Sequence, residues 1–168
     1  MSAIQDALLA GEIASALGPL TLRRETADDA QFRFTLFRDS RPQFALLPEP
    51  VRTQILRQQF AAQADGYGRL YPGALSAIVE ADGMAVGRLV LHEGPGRLEL
   101  VDIAMAGNVR GKGAGAALMG ALKALAERAG RPLHLRVSAA NPAAERFYLR
   151  LGLREVARTD ADRELAWP

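Results

Sequence analysis

Arg110-Gly111-Lys112-Gly113-Ala114-Gly115 stands between an apolar run, Leu98 to Met105, and a segment whose apolar residues recur with helical spacing. Glycines at three of six positions let the main chain come close to a ligand. The start of a helix offers unpaired N–H groups and the positive end of a dipole, and Arg110 and Lys112 add full charges. A diphosphate fits such a place. Read alone, the same letters also describe a tight strand-to-helix connection with incidental glycines.

Outward from this turn the pattern is regular. Downstream, Leu118, Ala121, Leu122, Leu125 and Ala126 predict a helix from about Gly113 to Ala129. Leu133, Leu135 and Val137 alternate as a buried strand. Pro142 opens a helix that runs to about Leu151, with Gly152 as its left-handed cap. Leu153 to Ala157 and Glu164 to Trp167 read as a closing strand pair. Upstream, Leu98 to Met105 is apolar on nearly both faces, as a central strand is. Leu75–Val79 and Met84–Leu91 flank Asp82-Gly83 as a hairpin, and Gly94-Pro95-Gly96 is a further turn.

Earlier still, Val51 to about Ala64 predicts a helix with Ile55, Leu56, Phe60 and Ala61 on one side, followed by a loop from Tyr67 to Gly73. Thr26-Ala27-Asp28-Asp29 caps a helix reaching about Arg38, and Leu20-Thr21-Leu22 is a short strand. Ile4 through Leu17 has helical spacing and ends at Gly18-Pro19. Residues 1–18 are therefore expected to be an extension, packed on the body or serving as a partner-binding arm. Residues 19–168 are expected to form one α/β domain, a mixed sheet of about six to seven strands with helices on both faces.

Composition narrows the function classes. The chain has 168 residues, enough for one domain with a sizeable core. Its 21 basic and 19 acidic side chains nearly cancel, so no nucleic-acid partner is expected. The absence of cysteine removes disulfides, thiolate metal sites and a thiol nucleophile. Two histidines are a poor ligand set, so no metal is expected; His92 and His134 are expected to face solvent or a partner. The first 18 residues carry no Lys or Arg, unlike a secretory signal, and no stretch is apolar enough to cross a membrane. A cytoplasmic location is expected.

Two familiar phosphate loops do not fit. A Walker A loop needs glycine where Ala106 stands and a hydroxyl where Gly113 stands. A dinucleotide fingerprint needs its third glycine at Ala116, and an acidic residue where only Pro132 to Arg136 are found. The segment instead resembles motif A of the GNAT acetyltransferases, an Arg/Gln-x-x-Gly-x-Gly/Ala pattern that grips the pyrophosphate of coenzyme A. Asn141-Pro142-Ala143-Ala144-Glu145-Arg146-Phe147-Tyr148, followed by Leu151-Gly152-Leu153, resembles motif B of that family, with Leu153 where phenylalanine is usual. The likeness extends over roughly Leu20 to Trp167.

The resemblance implies an N-acetyltransferase that takes an acetyl group from acetyl-CoA to a primary amine by direct transfer in a ternary complex. Its cofactor residues would be Ile103, Ala104 and Met105 on a strand splayed from its neighbour, then Arg110, Gly111, Lys112, Gly113, Ala114 and Gly115, then Asn141, Ala144, Phe147 and Tyr148. The Met105 N–H would hold the thioester oxygen, and Tyr148 would protonate the departing thiolate. Glu99 is the preferred general base. Asp102 is the second candidate, placed by strand alternation on the opposite face, so that only one of the two should reach the cleft. Both also suit ordinary polar positions at a sheet edge.

The acceptor, a small molecule or a peptide, would be selected by about Phe32 to Gly73 and Arg158 to Arg163. Arg33, Arg38, Arg41, Arg52 and Arg57 lie in the first of these, suiting either an acidic acceptor or a solvated face. Homodimers are common in the family. The competing function is a non-catalytic acyl-CoA-binding module; a nucleotide-phosphate-binding protein is a more distant one.

Overall fold

The computed structural model describes residues 2–168. Seven strands form one sheet: β1 (Leu20–Arg24), β2 (Leu75–Ala81), β3 (Met84–Gly94), β4 (Arg97–Met105), β5 (Leu133–Ser138), β6 (Arg154–Arg158) and β7 (Asp162–Trp167). They run in the order β1-β2-β3-β4-β5-β7-β6. Only β4 and β5 are parallel, and the connection between them is a helix, as a parallel pair requires. Five α-helices accompany the sheet: α1 (Ala3–Ala10), α2 (Ala30–Asp39), α3 (Val51–Leu70), α4 (Ala114–Ala129) and α5 (Pro142–Arg150).

Alternation along the strands sorts the two faces. Leu20, Leu22, Leu89, Leu91, Leu98 and Leu100 join Leu118, Leu122 and Leu125 of α4 in the main core, with Phe147 and Tyr148 of α5 against its margin. Each buried leucine contributes about 1.5–3 kcal/mol of transfer free energy. A second, aromatic cluster joins α2 to α3 through Phe34, Phe37 and Leu56, with Phe60 edge-on to both phenylalanines. The expected mixed sheet with helices on both faces is what forms.

Local chemistry accounts for the element ends. Asp82 and Gly83 both have positive φ, the conformation of a two-residue hairpin turn whose twist matches its strands. The Asp29 carboxylate accepts from the Thr26 amide at 2.8 Å and receives both terminal nitrogens of Arg23 at 2.8 Å, capping the turn that leads into α2.

Two expectations are corrected. The first helix stops at Ala10 instead of continuing to Leu17, because Ile13 pairs with Leu20 through two 2.8 Å backbone bonds and so extends the sheet edge. The expected loop over Tyr67–Gly73 is helical as far as Leu70, since the two glycines at Gly66 and Gly68 do not interrupt α3. α1 is packed on the body: Leu8 lies in the main core, and the Gln5 side-chain amide donates to the Gly73 carbonyl at 3.1 Å.

Candidate active site

The β4–β5 pairing covers only Leu98–Leu100 against Leu133–Leu135, although both strands continue, to Met105 and Ser138. Beyond Leu100 the strands diverge and leave a wedge. Its β4 wall carries free donors. Ala106 N–H bonds the Val86 carbonyl of β3 at 2.8 Å, so alternation turns the Met105 N–H away from β3 and into the wedge. The Met105 carbonyl, on the same side, accepts from Arg110 Nε at 2.9 Å. Close packing of β3 against this segment depends on a glycine. A Cβ on Gly87 would stand 2.6 Å from the Met105 sulfur and 2.8 Å from the Ala104 carbonyl oxygen.

The wedge runs into the glycine turn. Gly111 and Gly113 have φ of +74° and +85°, and a side chain at either would meet nothing, so their conformation rather than space selects glycine. These left-handed steps aim successive amides outward. Among the described residues, the Lys112 amide is satisfied by the Val109 carbonyl, whereas those of Gly111, Gly113, Ala114, Gly115 and Ala116 have no acceptor. Five donors without a protein acceptor, around the start of a sixteen-residue helix, make a nest suited to an anion. A cavity of about 450 Å³ lies over it, lined by Ile103, Met105, Val109, Arg110, Gly111, Gly113, Ala114, Gly115, Ala116, Phe147 and Tyr148. The donor set and cavity suit a diphosphate-bearing thioester such as acetyl-CoA.

Across β4 a larger cavity of about 630 Å³ lies beneath α2 and α3. Its floor includes Asp102, Ile103 and Ala104, and its walls include Arg33, Phe37, Arg41, Gln63, Arg88, Ser138 and Asn141. Ile103 lines both cavities, so they meet at the β4 wall of the wedge. The Asp102 carboxylate accepts from Arg88 Nη1 at 3.0 Å. Enclosure by protein pushes its pKa up, against the pull of Arg88. Burial also pushes the Tyr148 phenol up to about 12, helped by the Asp102 charge, so Tyr148 is protonated across the neutral range.

The predicted residues divide as follows. Ile103, Met105, Arg110, Gly111, Gly113, Ala114, Gly115, Phe147 and Tyr148 share the smaller cavity. Ala104, Asn141 and Asp102 line the larger one. Asn141 Oδ1 accepts from the Ala144 amide at 3.1 Å as a helix cap. Lys112 is exposed at the turn, and Ala144 packs against the core; neither lines a cavity.

Glu99 lies outside both cavities. It is hydrogen-bonded by Arg97, which also reaches Glu164 at 3.1 Å, and Glu164 accepts from or pairs with His134 Nδ1 at 2.8 Å. The expected opposition of Glu99 and Asp102 fails for a definite reason. Asp102 pairs with Val90 and Leu100 with Leu91, so Val101 is an extra residue in β4. This bulge shifts the parity by one, and both acids emerge on the face of Arg88 and His92. Separation along the strand, not the face, keeps Glu99 from the cavity. The histidines also depart from expectation. His134 is tied to Glu164, and His92 packs edge-on to Tyr71 with ring centres 5.4 Å apart.

Arg88 escaped sequence reasoning, although a signal existed: it is a lone charge within the apolar run Met84–Leu91. Its other partner, Glu25, accepts from Arg88 Nε at 2.6 Å and contacts Arg33 at 3.0 Å. Among the described residues no group of three or more His, Asp or Glu could hold a metal, and no helix is long and apolar enough to cross a membrane.

Solved structures share this architecture. The PaiA N-acetyltransferase of Thermoplasma acidophilum, solved with coenzyme A, superposes with a TM-score of 0.65 at 16% identity, over 88% of this chain and 97% of its own. An acetyltransferase of Thermus thermophilus gives 0.63 at 22% identity, over 89% and 96%. The spermidine N-acetyltransferase SpeG of Vibrio cholerae gives 0.60 at 20% identity, over 88% and 92%. At these identities the likeness is one of fold. No protein of curated function matches the sequence. The family model of the acetyltransferase (GNAT) family matches residues 34–153, most of the chain and both sides of the wedge. This chain belongs to the GNAT acetyltransferase family.

Proposed function

We propose that this protein is an N-acetyltransferase that moves the acetyl group of acetyl-CoA to a primary amine of a small molecule or peptide, by direct transfer in a ternary complex. The observation that carries this reading is the wedge beyond Leu100, open to a cavity on either side and bordered by five unsatisfied amides at residues 111 and 113–116.

The turn would hold the pyrophosphate through those amides, with Arg110 and Lys112 adding charge at the rim. The cosubstrate supplies an activated acyl carbon. The Met105 N–H, fixed by the strand and facing the wedge, donates to the thioester oxygen as negative charge gathers there. A preorganised donor of this kind is worth about 3 kcal/mol. Tyr148, like any tyrosine, is protonated at neutral pH, burial raises its pKa further, to about 12, and it has a proton to give to the departing sulfur. The amine enters from the larger cavity. Asp102, on that cavity's floor and with its pKa raised, is better placed than Glu99 to take the amine's proton, directly or through a water. Glu99, held by Arg97 and lying outside the cavity, would tune the charge of the neighbouring sheet.

The test is release of free thiol from acetyl-CoA with a broad panel of primary amines, repeated with Tyr148→Phe. Turnover of at least one amine, reduced about 100-fold by that change, is expected. Tight acetyl-CoA binding without turnover of any amine would reduce the protein to a binding module.

A further inference from the structure

Arg41 is half-buried at the wall of the larger cavity and has no carboxylate within salt-bridge distance among the described residues. Its terminal nitrogen Nη1 donates to the Phe37 carbonyl at 3.1 Å and to Ser40 Oγ at 2.8 Å, and the guanidinium lies 3.4 Å from the centre of the Phe37 ring. These contacts fix the plane of the group and leave its Nε and Nη2 without a protein acceptor. Nearby, Arg33 lies over the Phe60 ring at 5.3 Å and pairs with Glu25, a carboxylate it shares with Arg88, while its buried Nε has no hydrogen-bond partner. The cavity region thus holds three guanidiniums against the carboxylates of Glu25 and Asp102.

A half-buried charge without a counter-ion is costly unless a ligand supplies one. A fixed, planar guanidinium with free N–H groups matches a carboxylate. The negative group on the floor, Asp102, adjoins Ile103 and Ala104 at the wedge, where an amine must arrive. The cavity is therefore cationic at the wall formed by Arg33 and Arg41, and its one lining carboxylate, Asp102, stands at the reacting end paired with Arg88 and within the electrostatic reach of Arg41.

Building on the acetyltransferase reading, we infer that the acceptor is an amino-carboxylate: its amine is directed to Asp102 and its carboxylate to Arg41, with Arg33 beside it. A polyamine fits poorly, because its second ammonium would face the guanidinium of Arg41, which has no carboxylate partner. A simple alkylamine would leave Arg41 without its counter-ion.

The experiment separates binding from chemistry. With the protein saturated with coenzyme A, calorimetry measures binding of glycine, β-alanine, 4-aminobutanoate, 5-aminopentanoate and lysine. Each is compared with the corresponding amine lacking the carboxylate, and 1,5-diaminopentane represents polyamines. At least one amino-carboxylate is expected to bind about tenfold or more tightly than its counterpart. Arg41→Gln is expected to abolish that margin while coenzyme A affinity, which reports a folded protein, is unchanged. Arg41→Lys, which keeps charge but loses the planar fork, should restore only part of it. Equal binding of the counterparts, stronger binding of the diamine, no binding by any amino-carboxylate, or an undiminished margin in Arg41→Gln would each overturn the inference. Thiol release from acetyl-CoA with the same compounds reports separately on the acetyltransferase reading. Selective binding without release refutes that reading alone, and release with selectivity for the diamine refutes the acceptor assignment alone.

Discussion

Gly87→Ala tests whether the seating of β3 against β4 controls the Met105 amide. The added methyl would lie 2.6 Å from Met105 Sδ, 2.9 Å from Met105 Cε and 2.8 Å from the Ala104 carbonyl oxygen. The thioether can swing aside, since methionine has rotatable bonds to spare. The carbonyl belongs to the sheet, and it can retreat only by moving β4 several tenths of an ångström. Overpacking of this kind costs about 1–3 kcal/mol. The displaced strand is the one that presents the Met105 N–H. Complete loss of such a donor costs about 3 kcal/mol, and partial misalignment is expected to lower kcat about tenfold. Chemical denaturation measures the first effect and thiol release the second. Gly94→Ala on the same strand is the control, because its nearest neighbours are 3.7 Å away, at ordinary contact distance. Adding Met105→Ala to Gly87→Ala removes the clash with sulfur but not that with the carbonyl, so it should recover only part of the loss. If Gly87→Ala proved as stable and as active as the unaltered protein, the argument that this strand contact positions the amide would be wrong.

Other perturbations read different parts of the molecule. Gly113→Ala forces a side chain into φ +85°, at a cost of about 1–2 kcal/mol. Relaxation of the turn should weaken acetyl-CoA binding about tenfold, measured by calorimetry, and the strain should lower the Tm by a few degrees. Asp102→Asn removes an ionisable group whose pKa is raised by burial. Activity that needs the carboxylate charged should fall off on the acid side at a pH above the ordinary aspartate value of about 3.9, and that limb should vanish in the variant along with most of kcat. Asp29 carries the opposite shift: hydrogen bonds from Arg23 and the Thr26 amide hold its pKa well below the usual range. Its contribution to stability is therefore present above the unfolded-state pKa and lost as pH falls. Asp29→Ala should cost about 1–2 kcal/mol near pH 7, with the difference from the unaltered protein shrinking in denaturation curves below about pH 4.

Much of this architecture was legible locally. The helical spacing of Leu118, Leu122 and Leu125, the alternation of Leu133, Leu135 and Val137, and the Asp82-Gly83 turn all lie within short windows where backbone geometry dictates the pattern. The glycine turn was readable for the same reason, because left-handed φ at residues 111 and 113 is a requirement that glycine meets at little steric cost. The first helix was overextended because its apolar spacing continues past Ala10. The competing backbone pairing of Ile13 with Leu20 comes from the sheet edge.

The sequence by itself determined the elements, their order and the phosphate-type turn between β4 and α4. Only the tertiary structure decided which acid meets the larger cavity. A bulge at Val101 turns Asp102 to the same face as Glu99, distance along β4 then leaves Glu99 outside the cavity, and a bulge is a property of two strands in register, invisible to the periodicity of either. It likewise decided that Arg88 and Arg33 share Glu25 while Arg41 is left without a carboxylate. Charge compensation among residues from α2, β3, β4 and the segment before α2 depends on distances through space, which spacing along the chain does not encode.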